Sequence, residues 1–285
     1  MADKRAPSVR SRQLATVLRG LRDASTLRGE EVANRLSWSP SKVSRIETAQ
    51  TVPSLNDLRK LLELYGVTGI QRSRLEQLRQ STGQRGWWDA YADALGPEYT
   101  ALIALEAEAE SVRCFAAQMV PGLLQTERYA REVARSVSPF APPGEIERRV
   151  QVKMARQKVL VKERPLALAV VIDEALILRT IGTPEVMAEQ LEKLAVVGEQ
   201  DNLTIQILPL DAGSHPGLDG EFSIVSFADL IAPDVVYLEH MTSELYEENE
   251  TAVYRHVMAF DRLRTLALDT SESARLLKCK TGTLR

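Results

Sequence analysis

SWSPSKVSRIETAQTVPS, residues 37–54, admits two readings: a helix that sits in a DNA groove, or an amphipathic core helix that happens to carry a lysine and an arginine. Ser39 is a good N-cap and Pro40 a good first helical residue, because the N–H that proline lacks would have no partner there. Val43 and Ile46 lie three positions apart and turn one side of the helix toward a core. Ser41, Lys42, Ser44 and Arg45 are left on the other side, near the helix start. Free backbone donors and the helix dipole at that end favour phosphate. By donor geometry Arg45 suits a guanine edge or a phosphate, and Lys42 a phosphate. The short hydroxyls of Ser39, Ser41 and Ser44 suit either.

The flanking sequence supplies the rest of a small helical domain. LATVLRGLRDAS sets Leu14, Val17, Leu18 and Leu21 on one face, and RGEEVANRL sets Val32 and Leu36 four apart. SLNDLRKLLELYGV reads as a helix with Ser54 as N-cap and Gly66 as stop, followed by a fifth helix over about Gln71–Gln80. Five helices with a tight connection between the second and third are what a helix-turn-helix requires. A plain bundle with exposed cations satisfies the same periodicity. Residues 1–12 read as a basic arm whose Arg5, Arg10 and Arg12 suit the DNA backbone or minor groove.

Charge favours the first reading. The net charge is −3. Residues 1–82, however, hold 15 Lys/Arg against 8 Asp/Glu, and the remaining 203 hold 21 against 31. A basic module that meets a polyanion is expected in front of an acidic domain that DNA repels. No apolar run approaches the ~20 residues of a membrane span, and the basic N-terminus has no apolar segment behind it. Cys114 and Cys279 have no motif spacing, so a reduced cytosolic compartment is expected, without disulfides or thiolate metal sites.

Over residues 83–285 a second, regulatory or partner-binding domain is expected, of α+β class with a small sheet. Residues 100–160 read as helical, broken at 120–124 and 138–145. Strand signals begin after Pro165, in PLALAVVIDEALILR, NLTIQILPL, EFSIVSF and DVVYLEH, with a helix over PEVMAEQLEKLAVVGEQ and helices in the tail. Asp211–Gly220 reads as a loop joining two strands: a lid, a partner site or a long hairpin connection. Trp87, Trp88 and Tyr91 form an aromatic cluster, for a ligand pocket, a partner groove or an interdomain seam. His215, His240 and His256 lack metal-ligand spacing, and the carboxylates Glu239, Glu244 and Glu247 around His240 read as a solvated face. No nucleophile elbow or phosphate loop occurs. Neither a catalytic residue, a metal site nor a cofactor is expected.

EVANRLSWSPSKVSRIETAQTVPSLNDLRKLLELYGV resembles the repressor-type helix-turn-helix of the Xre family, at V-S-R-I-E followed by P-S-L and a leucine-rich helix. The resemblance implies a lambda-repressor-like domain over residues 13–82, with Glu47 structural rather than on DNA. Ser37 and Ala49 stand where that family often has glycine. A positive φ at Ala49 costs roughly 1 kcal/mol relative to glycine. GWWDAY, LEAEAESVRCFAAQMVPGLLQTERYAR, PDVVYLEH and YRHVMAFDRLRTLAL are similar to the long C-terminal domain of WhiJ-like, antitoxin-like actinobacterial regulators. That likeness implies a small neighbour-encoded partner protein. The expectation is therefore a cytoplasmic, nucleoid-associated regulator of double-stranded DNA. It acts as a homodimer because one short helix reads too few base pairs. The rival readings are an antitoxin-like adaptor that mainly sequesters a small partner protein while its DNA binding serves autoregulation, and an enzyme with a DNA-binding appendage.

Overall fold

Leucine spacing in the first eighty residues becomes five helices packed around one core. The computed structural model describes residues 9–82, 86–91, 95–228, 233–241 and 243–285. Two compact units result, Met1–Gly86 with Asp229–Pro233, and Trp87–Ala228 with Asp234–Arg285. The first unit runs α1 (Val9–Ala24), α2 (Gly29–Leu36), α3 (Pro40–Glu47), α4 (Leu55–Leu64) and α5 (Gly69–Ser81). Its core gathers Leu14 and Leu18 from α1, Val32 from α2, Val43 and Ile46 from α3, Leu58, Leu61 and Leu62 from α4, and Leu75 and Leu78 from α5. Ser54 Oγ accepts from the Asp57 N–H (3.0 Å) and caps α4, while Gly66 ends it at φ 71°. The expected arm over residues 1–12 overlaps a helix. Helix α1 already begins at Val9, so Arg10 and Arg12 are helical. Arg10 is buried and its Nη1 donates to Gln13 Oε1 (3.1 Å), because the Leu14 and Leu18 stripe extends one turn further toward the N-terminus. Arg5 lies outside the described residues.

The second unit is α+β and centres on a six-stranded mixed sheet in the order β3-β2-β1-β4-β5-β6. Its strands are β1 (Ser111–Ala116), β2 (Ala167–Asp173), β3 (Leu203–Leu208), β4 (Phe222–Ser226), β5 (Val235–Glu239) and β6 (Glu244–Glu247). β1, β2 and β3 run parallel, and β4, β5 and β6 add antiparallel to the β1 edge. The helices are α6 (Pro97–Glu108), α7 (Glu127–Val137), α8 (Pro143–Arg156), α9 (Glu174–Leu178), α10 (Pro184–Val197), α11 (Glu250–Leu266) and α12 (Thr270–Leu284). Phe115, Val171, Phe222, Ile224 and Val236 share one sheet face and pack against Val253, Phe260 and Leu263 of α11. Helix α12 packs on α10 and β3. Among the described residues no helix is long and apolar enough to cross a membrane.

Three expectations are corrected. The stretch 100–160 is not all helix: Ser111–Ala116 is a central strand, flanked on both sides by partners. A second strand, β6, lies in the acidic stretch expected to be a solvated face. Asp211–Gly220 is not a hairpin connection, because β3 and β4 are separated by β2 and β1. The segment instead crosses the sheet through two 3-10 turns, Leu210–Ala212 and Pro216–Asp219. It lies so close that a Cβ at Gly217 would clash with the Phe115 ring.

Candidate nucleic-acid interface

Residues 37–39 connect α2 to α3. Ser37 adopts the left-handed conformation at φ 55°. Its N–H donates to the Asn34 carbonyl (3.2 Å) and the Trp38 N–H to the Ala33 carbonyl (2.8 Å), which closes α2. Ser39 is extended, its Oγ accepting from the Lys42 N–H at 3.3 Å, and Pro40 opens α3. The expected caps therefore form. Val43 and Ile46, each 2% exposed, fix α3 in the core opposite the fully buried Val32. After α3, Ala49 turns the chain at φ 58° and is itself buried. Both positions that lack the usual glycine thus take positive φ, as does Thr26 at φ 56°.

Ser39, Ser41, Ser44 and Arg45 are exposed on the outer side of α3. Arg45 Nε donates to the Ser41 carbonyl (3.2 Å), so the stem lies along the helix, while its two terminal nitrogens donate to no other described residue. Lys42 differs from the expectation of a free phosphate contact. Its Nζ sits 3.9 Å from the Trp38 ring centroid and 2.9 Å from Asp57 Oδ1. Burial works to raise the Asp57 carboxyl, but hydrogen bonds from Lys42 and Ser54 outweigh it and hold the group below the usual carboxylate range. Lys42 therefore ties α3 to α4. Arg12 stands half-buried on α1.

Glu47 closes α3 from the inside. Its Oε1 and Oε2 accept from Arg22 Nε (2.7 Å) and Nη2 (3.1 Å), with both side chains about 14% exposed or less. Arg22 Nη1 also reaches the Leu27 carbonyl (3.0 Å). The hydrogen bond to Glu47 raises the Arg22 pKa against the opposing effect of burial. This clamp holds α3 against α1. Twenty-five residues separate its members, a distance that no periodicity reports.

In the second unit Trp87, Trp88 and Tyr91 lie on one 3-10 turn, Trp87–Tyr91. Trp87 meets Trp88 edge-on at 5.9 Å and Tyr91 at 6.1 Å. The turn packs against α6 and α8. A different group, unseen in the sequence, surrounds a cavity in this unit. Arg156 Nε and Nη2 donate to Glu106 Oε2 (2.8 Å) and Oε1 (2.7 Å), and Nη1 donates to Tyr99 Oη. Among the described residues no group of three or more His, Cys, Asp or Glu can hold a metal ion. His240 is exposed, and His256 Nδ1 is hydrogen-bonded to the Ala252 carbonyl at 2.8 Å. His215 Nε2 lies 3.9 Å from Asp173 Oδ2.

Comparison with known proteins agrees with this division. A family model described as a helix-turn-helix domain matches residues 13–75, which run from within α1 through α4 and half of α5, and it points to a DNA-binding regulator. No curated protein and no solved structure matches the chain. A second family model, described as a domain of unknown function (DUF5753), matches residues 99–279, from α6 into α12. That match covers more than half of the chain, which therefore belongs to the DUF5753 family and carries a helix-turn-helix domain in front of it.

Proposed function

We propose that the protein is a transcription regulator that binds specific sequences of duplex DNA through α3, as a homodimer. In this reading residues 13–82 bind DNA and residues 83–285 modulate that binding in response to an effector or a small partner protein. The division of α3 carries the proposal: Val43 and Ile46 face the core, while the capped N-terminus presents Ser39, Ser41, Ser44 and the terminal nitrogens of Arg45 to solvent. That is the arrangement in which the N-terminal residues of a recognition helix reach base edges. The basic surplus of residues 1–82 supports phosphate contact. An eight-residue helix covers few base pairs, which favours a symmetric dimer on half-sites about 34–36 Å apart. Arg12, on α1, is assigned a backbone contact flanking α3.

The chain is read as non-enzymatic and as cytoplasmic, associated with the nucleoid when bound. The likeness to WhiJ-like, antitoxin-like regulators supports a small protein as the modulating partner. Selection of binding sites from random duplex DNA by the purified protein tests the reading. Enrichment of a palindromic motif is expected. Selection that enriches nothing would end the DNA claim, and would leave of the adaptor reading only the sequestration of its partner, without the DNA binding for autoregulation.

A further inference from the structure

The second unit encloses a cavity of about 130 Å³ between one face of the sheet, α6, α8 and the segment 119–125. It is a self-contained feature of residues 99–239, and its argument does not depend on DNA binding. Leu102, Val112, Val120, Leu123 and Leu168 supply apolar wall. Within the lining, Arg156 and Glu106 neutralise each other in a bidentate pair whose side chains are 8% and 5% exposed. Three charged side chains remain: Lys153 from α8, Glu221 just before β4, and Glu239 at the end of β5.

None of these three has an ion-pair partner within 4.0 Å among the described residues. Lys153 Nζ donates only to Gln125 Oε1 (3.2 Å), and Gln125 spends its own amide on the Val120 carbonyl (2.7 Å). Glu221 Oε2 accepts two long hydrogen bonds, from the Ala117 and Gln118 N–H groups at 3.4 Å each. Glu239 Oε2 accepts from Tyr237 Oη at 3.3 Å and is exposed, which marks the mouth. Lys153 and Glu221 are half-buried. Burial, followed by the charge of Arg156, pushes the Lys153 ammonium down to about 8, and burial raises the Glu221 carboxyl. Neither carboxylate lies within 4.0 Å of Lys153 Nζ, although the Glu239 charge acts on the ammonium from farther away. A ligand carrying both signs supplies what all three lack.

We propose that this cavity binds a small zwitterion of the amino-acid type. Its carboxylate meets Lys153, its ammonium meets Glu221 with Glu239 at the mouth, and a short apolar side chain lies against Leu102, Val112 and Leu168. Size fits the class, since an engineered cavity of about 150 Å³ accepts benzene, and a zwitterion of about six to nine non-hydrogen atoms is comparable.

The test uses the full chain and each of the twenty L-amino acids, by thermal unfolding and by calorimetric titration. An amino acid with a small apolar side chain, such as L-alanine or L-valine, is expected to raise the unfolding midpoint of the second unit and to titrate at one site per chain. The matched single-charge probes, isobutylamine and isovalerate for L-valine, are expected to bind at least about tenfold more weakly, because each leaves one side of the site without its counter-charge. Lys153→Met and Glu221→Gln are each expected to weaken the amino acid by about tenfold or more. Two variants on different elements keep the test usable if one fails to fold. The proposal is overturned if no amino acid shifts the midpoint, if either single-charge probe binds as tightly as the amino acid, or if a folded variant retains wild-type affinity.

Discussion

Ser37 and Ala49 are the residues at which this helix-turn-helix departs from glycine, and both take the backbone conformation that glycine relieves. An L-residue in the left-handed region costs roughly 1–2 kcal/mol. Glycine recovers that strain but gives back part of it as conformational entropy of the unfolded chain, about 0.4–1 kcal/mol. Ser37 is exposed, so nothing else is lost there. Ser37→Gly is expected to stabilise the first unit by roughly 0.5–1 kcal/mol in urea unfolding. At the buried Ala49 the same change also removes a methyl worth about 0.8 kcal/mol, so Ala49→Gly should be near neutral. Equal effects at the two sites would show that the strain argument is wrong. The sequence already exposed these two positions, because a missing glycine is visible in a string of letters. It was silent on Thr26, where no glycine was expected. Glu47 was legible as structural by its likeness to other helix-turn-helix proteins, but its partner Arg22 was not. Glu47→Ala leaves a mostly buried guanidinium with Asp23 and one carbonyl for company. A loss of about 2–4 kcal/mol is expected, with a double-mutant cycle against Arg22→Ala showing strong coupling. Additive losses would place the stabilisation elsewhere.

At the scale of the element, α3 was readable because each local signal agreed: cap, proline, apolar spacing and outward polar side. The strands β1 and β6 were not. β1 has partners on both edges, and its polar–apolar alternation, Ser111 to Cys114, lasts only four residues before the apolar Phe115 and Ala116 end it, directly behind a helical stretch. β6 pairs with β5 through residues that read as acidic loop, and Tyr246 lies opposite Tyr237 with ring centroids 5.3 Å apart, a cross-strand contact that favours the pairing. The crossing of Asp211–Gly220 was hidden for a related reason, since strand order is a property of the assembled sheet. The DNA assignment belongs to α3 and is tested on it. Arg45 shares no side-chain contact with the core, so Arg45→Ala should leave the unfolding midpoint unchanged. If Arg45 reads a base, operator affinity falls about 5- to 150-fold and discrimination relaxes at one position. If it binds phosphate, affinity falls alike on all sequences and the salt slope decreases by about 1. Unchanged binding on the selected operator would remove Arg45 from the interface. Lys42→Ala is a poorer probe, because it also breaks the tie to Asp57.

For the whole molecule, a net charge of −3 conceals a basic first part and an acidic remainder, and the acidic surplus is not all solvated. Glu239 and Glu244 stand directly opposite each other across β5 and β6. Like charges in register repel, and Glu244 Oε2 is buried without a hydrogen-bond partner among the described residues. Burial first, and the Glu239 charge second, push the Glu244 carboxyl up to about 7. A glutamate in the unfolded chain titrates at about 4.3. Between those two values the folded chain holds more protons than the unfolded one, so this group makes stability fall as pH rises through the window. Above about 7 both states are ionised and the penalty is fully present. Glu244→Gln resembles the protonated side chain. It should therefore leave the melting temperature of the second unit almost unchanged near pH 4.5 and raise it at pH 8. Scanning calorimetry of wild type and variant at the two pH values measures the difference. A variant that melts at the wild-type temperature at pH 8 would mean that Glu244 titrates as an ordinary exposed carboxylate and that the β5–β6 pairing carries no charge strain.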